Sequence, residues 1–278
     1  MELDIRDLTI EYSSGGYVVR PIRGFSLTAN SGSLVLLLGP SGSGKTSLLS
    51  CLGGILTPTQ GRMRLGDIDV GALTGKALTS YRRRTAGIIF EGFNLVPSLT
   101  ALENVMLPLR NGGIDRRRAA AHAGELLQRL GLSERVQHRP GRMSAGQQQR
   151  IAIARALAFD PPLLLADEPT AHLDDTQVAQ VTNLLRELTN SDRLVVVATH
   201  DQRILPVADR VVDLASGPGA NTQEPAVRLP VEGNDPADAI GRKLLQRAQL
   251  ANARRAPDID IASAGHHAVG EPAVQDVQ

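Results

Sequence analysis

GPSGSGKT, residues 39–46, follows the apolar run LVLLL of residues 34–38 and leads into a helical stretch over residues 46–52. A strand therefore feeds a glycine-rich turn that opens a helix. Such a turn aims its backbone N–H groups at the β- and γ-phosphates of a nucleotide, which predicts that the chain binds ATP or GTP. Gly39, Gly42 and Gly44 permit close approach and unusual dihedrals, Lys45 places a cation on the outer phosphates, and Thr46 offers a hydroxyl to Mg²⁺. The candidate phosphate-binding set is Gly39, Pro40, Ser41, Gly42, Ser43, Gly44, Lys45, Thr46 and Ser47.

A second strand ends in chemistry. Residues 163–168 read LLLADE, an apolar strand delivering two carboxylates at its C-terminal end. That arrangement suits nucleotide hydrolysis, with Asp167 holding hydrated Mg²⁺ and Glu168 orienting or deprotonating the water that attacks phosphorus. A third apolar strand, residues 194–198, ends in Thr199 and His200, where an imidazole is within reach of a γ-phosphate as a donor.

The chain has 278 residues, enough for a substantial α/β core with a small accessory lobe. Its 30 basic and 29 acidic side chains give no overall field favouring nucleic acid or an anionic membrane, so no nucleic-acid partner is expected. The single cysteine, Cys51, falls in the helix after the phosphate loop and reads as a buried small residue. The start MELDIRDLTIEY places acidic residues before any apolar run, unlike a secretory signal, and the longest apolar stretches are too short to cross a bilayer. The expectation is a cytoplasmic chain that reaches the inner face of a membrane only through a partner.

Alternation of Leu3 and Ile5, then Leu8 and Ile10, predicts a first strand closed by Tyr12, with further strands at residues 17–19, 24–28 and 62–65. These form an antiparallel layer beside the parallel core. Ala119, Ala123, Leu126, Leu127 and Leu130 recur at helical spacing over residues 116–130, ended by Gly131, within a helical insertion between sheet elements. Tyr81-Arg82-Arg83-Arg84 reads as a solvated or subdomain-bridging helix face.

In this order the motifs resemble the nucleotide-binding subunit of an ATP-binding cassette transporter. The likeness covers residues 1–217 and includes the segment MSAGQQQR, residues 143–150, followed by IAIARAL. It implies a P-loop NTPase core with an antiparallel β subdomain and a helical signature subdomain over about residues 95–160, the α/β fold of such ATPases. It also implies that two chains close head to tail on ATP and Mg²⁺. Each composite site then uses Lys45, Thr46, Glu91, Asp167, Glu168 and His200 of one chain, with Ser144, Gly146 and Gln147 of a second copy at a helix N-terminus. By the same resemblance Tyr12 stacks on adenine, Asp174 couples the two sites across the dimer, and Glu91 joins Thr46 and Asp167 around the metal and Glu168 and His200 in catalysis. Arg150 and Arg155 are read as organising the helix after the signature.

Two residues depart from the family pattern. Glu91 stands where relatives carry glutamine: a carboxylate ligates Mg²⁺ but donates no amide hydrogen bond and adds negative charge beside the triphosphate. Ala145 stands at the first glycine of the signature, costing about 1 kcal/mol if the position needs positive φ and almost nothing at an ordinary helix start. The segment FNLVPSLTALENVMLPL, residues 93–109, resembles the branch serving lipoprotein release, macrolide efflux and cell-division permeases. That branch pairs with a transmembrane permease bearing a large extracytoplasmic domain, and Phe93, Leu95, Val96 and Leu99 are candidates for its docking patch.

The expected function is therefore an ATP-hydrolysing subunit that powers a permease for export or mechanotransmission. The alternative is a nucleotide-gated scaffold with very slow hydrolysis, controlling assembly of a membrane complex. Residues 218–278 form an extension, with a helix expected at 239–255, a disordered end, and no convincing zinc ligands around His266 and His267.

Overall fold

The computed structural model describes residues 1–14, 17–189, 192–214 and 222–223. Of the extension from residue 218 the structure describes Thr222–Gln223, which form a short strand; the helix expected at 239–255 and both terminal histidines lie outside the described residues. The order is β1 (Glu2–Ser14), β2 (Tyr17–Asn30), β3 (Leu34–Leu38), α1 (Lys45–Leu52), β4 (Gln60–Leu65), β5 (Ile68–Asp69), α2 (Gly75–Arg84) and β6 (Ala86–Ile89). Then come α3 (Ala101–Asn111), α4 (Arg116–Arg129), α5 (Ala145–Ala156), β7 (Leu163–Asp167), α6 (Asp175–Leu188), β8 (Leu194–Thr199), β9 (Arg210–Asp213) and β10 (Thr222–Gln223).

Two sheets result. One is antiparallel, ordered β2-β1-β4-β5; the other is ordered β10-β9-β3-β8-β7-β6 and is parallel except where β10 meets β9. The core strands carry no polar alternation because both faces of the parallel sheet are covered. Leu34, Leu36, Leu164, Ala166, Val195 and Val197 pack with the helices α3 to α6. Their neighbours Val35, Leu37, Leu163, Leu165, Val196 and Ala198 pack with α1 and the antiparallel sheet. Parallel register brings the ends of β3, β7 and β8 to one edge, pairing Leu38 with Thr199 and Asp167 with Ala198. Ligands of open α/β sheets bind at this carboxyl edge.

The expected strands at 17–19 and 24–28 are one continuous strand, β2. The ribbon bends through three register shifts in β1 and a left-handed Gly24, φ 57°, instead of breaking. β4 starts two residues earlier than expected, at Gln60, where Gly61 (φ 88°) lies so near β1 that a Cβ there would stand 2.4 Å from the Asp7 carbonyl oxygen.

β6 and β9 are short and were not anticipated. Gly87 inside β6 marks a close backbone approach: a Cβ would lie 2.5 Å from the carbonyl oxygen of Ala156 at the end of α5. The arginine-rich α2 is a bridging helix. The Tyr81 hydroxyl donates to Leu52 O at 2.6 Å, Arg82 donates through two nitrogens to Gly54 O, and Arg84 lies 5.7 Å over the Phe159 ring. Cys51 is buried and burial pushes its thiol up to about 11, consistent with an inert packing residue. Among the described residues no helix is long and apolar enough to cross a membrane.

Candidate nucleotide site

The phosphate loop joins β3 to α1 and is held from the antiparallel layer. Gly44 has φ 94°, and a Cβ on it would stand 2.7 Å from both Pro21 O and Ile22 Cδ1 of β2. Gly42 is left-handed too, φ 85°, with open space around it, while a Cβ on Gly39 would meet Ser43 Oγ at 2.6 Å. Lys45, only 6% exposed, donates from Nζ to Gly39 O at 2.6 Å and Pro40 O at 3.1 Å, and its ammonium lies 3.4 Å from Glu168 Oε1. The lysine is thus threaded under the loop with its charge at the sheet edge. Pro40, Ser41 and Thr46 are exposed, Ser47 is half-buried, and Ser43 Oγ is buried with no hydrogen-bond partner.

The acidic pair stands opposite. Asp167 is buried at the end of β7 and its Oδ1 has no hydrogen-bond partner. Burial raises its pKa, the charges of Glu168 and Glu91 push the same way, and the Thr46 hydroxyl and Lys45 ammonium partly offset them. An orphaned buried carboxylate oxygen beside an exposed threonine hydroxyl is a donor set that fits a hard divalent cation such as Mg²⁺.

Glu168 begins a left-handed turn, φ 45°, secured by its N–H donating to Ala198 O at 2.8 Å. Both of its carboxylate oxygens are engaged. Oε1 lies 3.0 Å from His200 Nδ1, and Oε2 accepts from Thr199 Oγ1 at 2.7 Å and from the His200 N–H at 3.4 Å. Burial alone would raise this carboxyl, but the hydrogen bonds from His200 and Thr199 and the charge of Lys45 hold it below the ordinary range. Glu168 is therefore an ionised carboxylate held in place. His200 is exposed and points its ring at Glu168, so in this structure it orients the carboxylate.

The signature segment forms the start of α5. Ser144 is the N-cap, its Oγ accepting from Gln147 N at 3.3 Å while Gln147 Oε1 accepts from Ser144 N at 3.1 Å, a reciprocal capping box on an exposed helix end. Ala145 is an ordinary first helical residue without positive φ, so alanine costs almost nothing there. Gly146 is buried against Gln177 of α6, and Asp174 caps α6 by accepting from Gln177 N at 2.8 Å. Tyr12 is 44% exposed and pairs with Val19, three residues along β2 from the Ile22 that packs on Gly44. Glu91 is exposed on the loop after β6, near enough for its charge to raise Asp167.

Of the suggested docking residues, Phe93 is partly taken up by an edge contact with His172, with ring centroids 5.9 Å apart, and Leu95 packs on the helical core; Val96 is exposed. Arg150 stays within its helix, bonding Gly146 O, whereas Arg155 reaches across to Phe93 O and Asn94 O.

Three polar groups at the site were not singled out from sequence. Thr199 is legible only as a hydroxyl ending a buried strand beside His200. Gln149 is fully buried on α5 and donates to Pro169 O at 2.9 Å, the residue after Glu168; a lone amide at a core-facing helical phase was its signal. Asp201 accepts from Thr170 Oγ1 at 2.8 Å and pairs with Arg203, which also reaches Asp175. Thr170, Asp201 and Arg203 line a cleft of about 290 Å³ together with Glu168 and His200.

A strand–loop–helix phosphate cradle facing two strand-end carboxylates, beside a capped helix of the signature type, defines an ATP-binding cassette. The family model described as ABC transporter matches residues 22–171, and the chain belongs to that family. An uncharacterised ABC transporter ATP-binding protein of Mycobacterium tuberculosis is 60% identical over 213 residues, 77% of this chain and 64% of that protein. The lipoprotein-releasing system ATP-binding protein LolD of Geobacter metallireducens is 43% identical over 216 residues, 77% of this chain and 96% of its own length. The dimeric structure of the ATP-binding cassette MJ0796 in a post-hydrolysis state with ADP and Pi superposes with a TM-score of 0.73 at 35% identity, over 81% of this chain and 99% of that one. The chain thus spans 64% of the length of its mycobacterial relative.

Proposed function

We propose that the chain binds and hydrolyses Mg·ATP as a head-to-tail dimer and powers a membrane permease of the lipoprotein-release type, working on substrate in export or mechanotransmission. The observation that carries this is the Glu168 carboxylate, kept ionised by His200, Thr199 and Lys45 at the edge where the phosphate loop opens. Lys45 exchanges loop carbonyls for phosphate oxygens, and Glu168 accepts the proton of the attacking water. Asp167 and Thr46, with Glu91 on the neighbouring loop, would hold Mg²⁺, which would neutralise charge on the phosphate oxygens. The exposed capping box at Ser144 is free to offer helix N–H groups to the nucleotide of a second copy, with Gly146 and Gln147 beside it, while Asp174 lies at the same face through Gln177. Tyr12 covers the base. Likeness to LolD supports a permease partner bearing an extracytoplasmic domain, and hence a position on the inner membrane face.

The charge of Glu91 on Asp167 favours a second reading, a nucleotide-gated scaffold with slow turnover. Steady-state hydrolysis in the presence of the permease separates the two. Glu91→Gln is expected to raise turnover about threefold, the scale of one partly screened charge, and to raise the half-saturating Mg²⁺ concentration. Turnover near zero in the parent with large rescue by Glu91→Gln selects the scaffold.

Thr199→Val keeps the side-chain shape but removes the hydroxyl that donates to Glu168. Losing a hydrogen bond to a charged group is expected to lower turnover about tenfold. Because that bond depresses the Glu168 pKa, its loss raises it, and the activity lost on acidification is then lost at higher pH. The acid limb of the rate profile should move upward; an unmoved limb assigns the proton acceptor elsewhere.

A further inference from the structure

We propose that Arg155 is a positioning residue that holds the loop after β6 in a strained form and so fixes where Glu91 stands relative to Asp167. Phe93 and Asn94 are consecutive non-glycine residues in the left-handed region, φ 58° and 48°. That backbone is disfavoured above all for the bulky Phe93, asparagine being the more tolerant; inside the loop the Phe93 N–H donates to Phe90 O and the Asn94 N–H to Gly92 O, and Arg155 adds a hold from outside it. The guanidinium of Arg155, at the C-terminal end of α5, donates to the carbonyls of Phe93 and Asn94: Nη2 reaches Phe93 O at 2.8 Å and Nη1 takes Asn94 O.

No carboxylate among the described residues pairs with it, and removal from water disfavours its charge. The fork is committed to these two carbonyls, a geometry that a single ammonium cannot reproduce.

A second clamp acts on the same loop. The Phe93 ring meets His172, in the segment that follows Glu168 and Pro169, while Gln149 of α5 bonds Pro169 O. One helix therefore holds both the Glu91 loop, through Arg155, and the Glu168 turn, through Gln149. Glu91 is two residues from the first clamped carbonyl, and its charge acts on Asp167.

The test reads the loop directly. Amide hydrogen exchange of the peptide covering residues 91–95 in Arg155→Met is expected to be about tenfold faster than in the parent, with β7 unchanged. Asn94→Gly removes one left-handed penalty and should return part of that protection in the double variant. Should Arg155→Met fail to fold, Arg155→Lys carries the same comparison. A second readout rests on the nucleotide-site reading: thermal stabilisation by a non-hydrolysed ATP analogue titrated with Mg²⁺. Arg155→Lys should raise the Mg²⁺ needed about threefold in the parent and not further in Glu91→Gln, the non-additivity of residues acting through one another. Unchanged exchange at 91–95, or no gain from Asn94→Gly, overturns the clamp. Additive Mg²⁺ effects overturn the link to Glu91. Normal exchange results with no nucleotide response at all would instead count against the nucleotide-site reading alone.

Discussion

Glu168→Gln is expected to lower steady-state ATP turnover by about 10²- to 10⁴-fold, the range of a lost general base, while Mg·ATP still binds and still drives dimerisation. The carboxylate is gripped at both oxygens by His200, Thr199 and the Lys45 ammonium. A glutamine fits the same space but presents an NH₂ group where a proton acceptor is required. That group also faces donors on at least one side, so the amide must either turn or break a bond. Turnover and ATP-dependent dimer formation, the latter followed by sedimentation, check the two halves separately. A variant that turns over within threefold of the parent would falsify the assignment of Glu168 as the base; one that neither turns over nor binds nucleotide would point to a damaged fold.

Gly44→Ala is expected to remove the stabilisation that ATP gives and to lower the melting temperature in the absence of nucleotide. Its left-handed φ costs about 1–2 kcal/mol for any side chain, and the new methyl meets the Pro21 carbonyl and the Ile22 side chain at 2.7 Å. A carbonyl on a paired strand yields little, so a total of about 3 kcal/mol is expected, equivalent to roughly 6–12 °C in a chain of this size. Gly42→Ala is the control. It has a similar φ but nothing within 4 Å, and should lose only about a third to two thirds as much. Thermal melts of both variants, with and without Mg·ATP, decide the matter; equal losses would show that β2 does not brace the loop.

What the sequence disclosed was whatever a short segment must satisfy by itself. The phosphate loop demands glycines at fixed offsets, and the buried strands around Val35, Leu164 and Val196 are continuous because both faces are covered. The antiparallel layer, the amphipathic α4 and the three strands that lead to Lys45, Glu168 and His200 followed from such local requirements. Features set by distant segments stayed hidden. Ala145 was ambiguous until the capping box of Ser144 and Gln147 placed it in a first helical turn. Gly87 carries no signal of its own, because its requirement comes from Ala156, far along the chain. Arg155 was read as serving its own helix, since nothing local announces carbonyls about sixty residues earlier as its partners. Thr199 and Gln149 matter only through what parallel register and helix packing set beside them.

The meeting of Gly87 with the carbonyl of Ala156 gives α5 the mechanics of a lever. Its C-terminal end is pressed against the sheet with no side chain between, whereas its N-terminal end carries the exposed Ser144. Twelve residues at a rise of about 1.5 Å each make an arm of about 18 Å, so a tilt of about 10° at the fulcrum swings the Ser144 end through about 3 Å. Arg155, next to the fulcrum, travels only a small fraction of that distance, and Gln149 an intermediate one. Motion delivered at the tip therefore reaches the Glu91 loop strongly geared down, and a small displacement of that loop reaches the tip magnified.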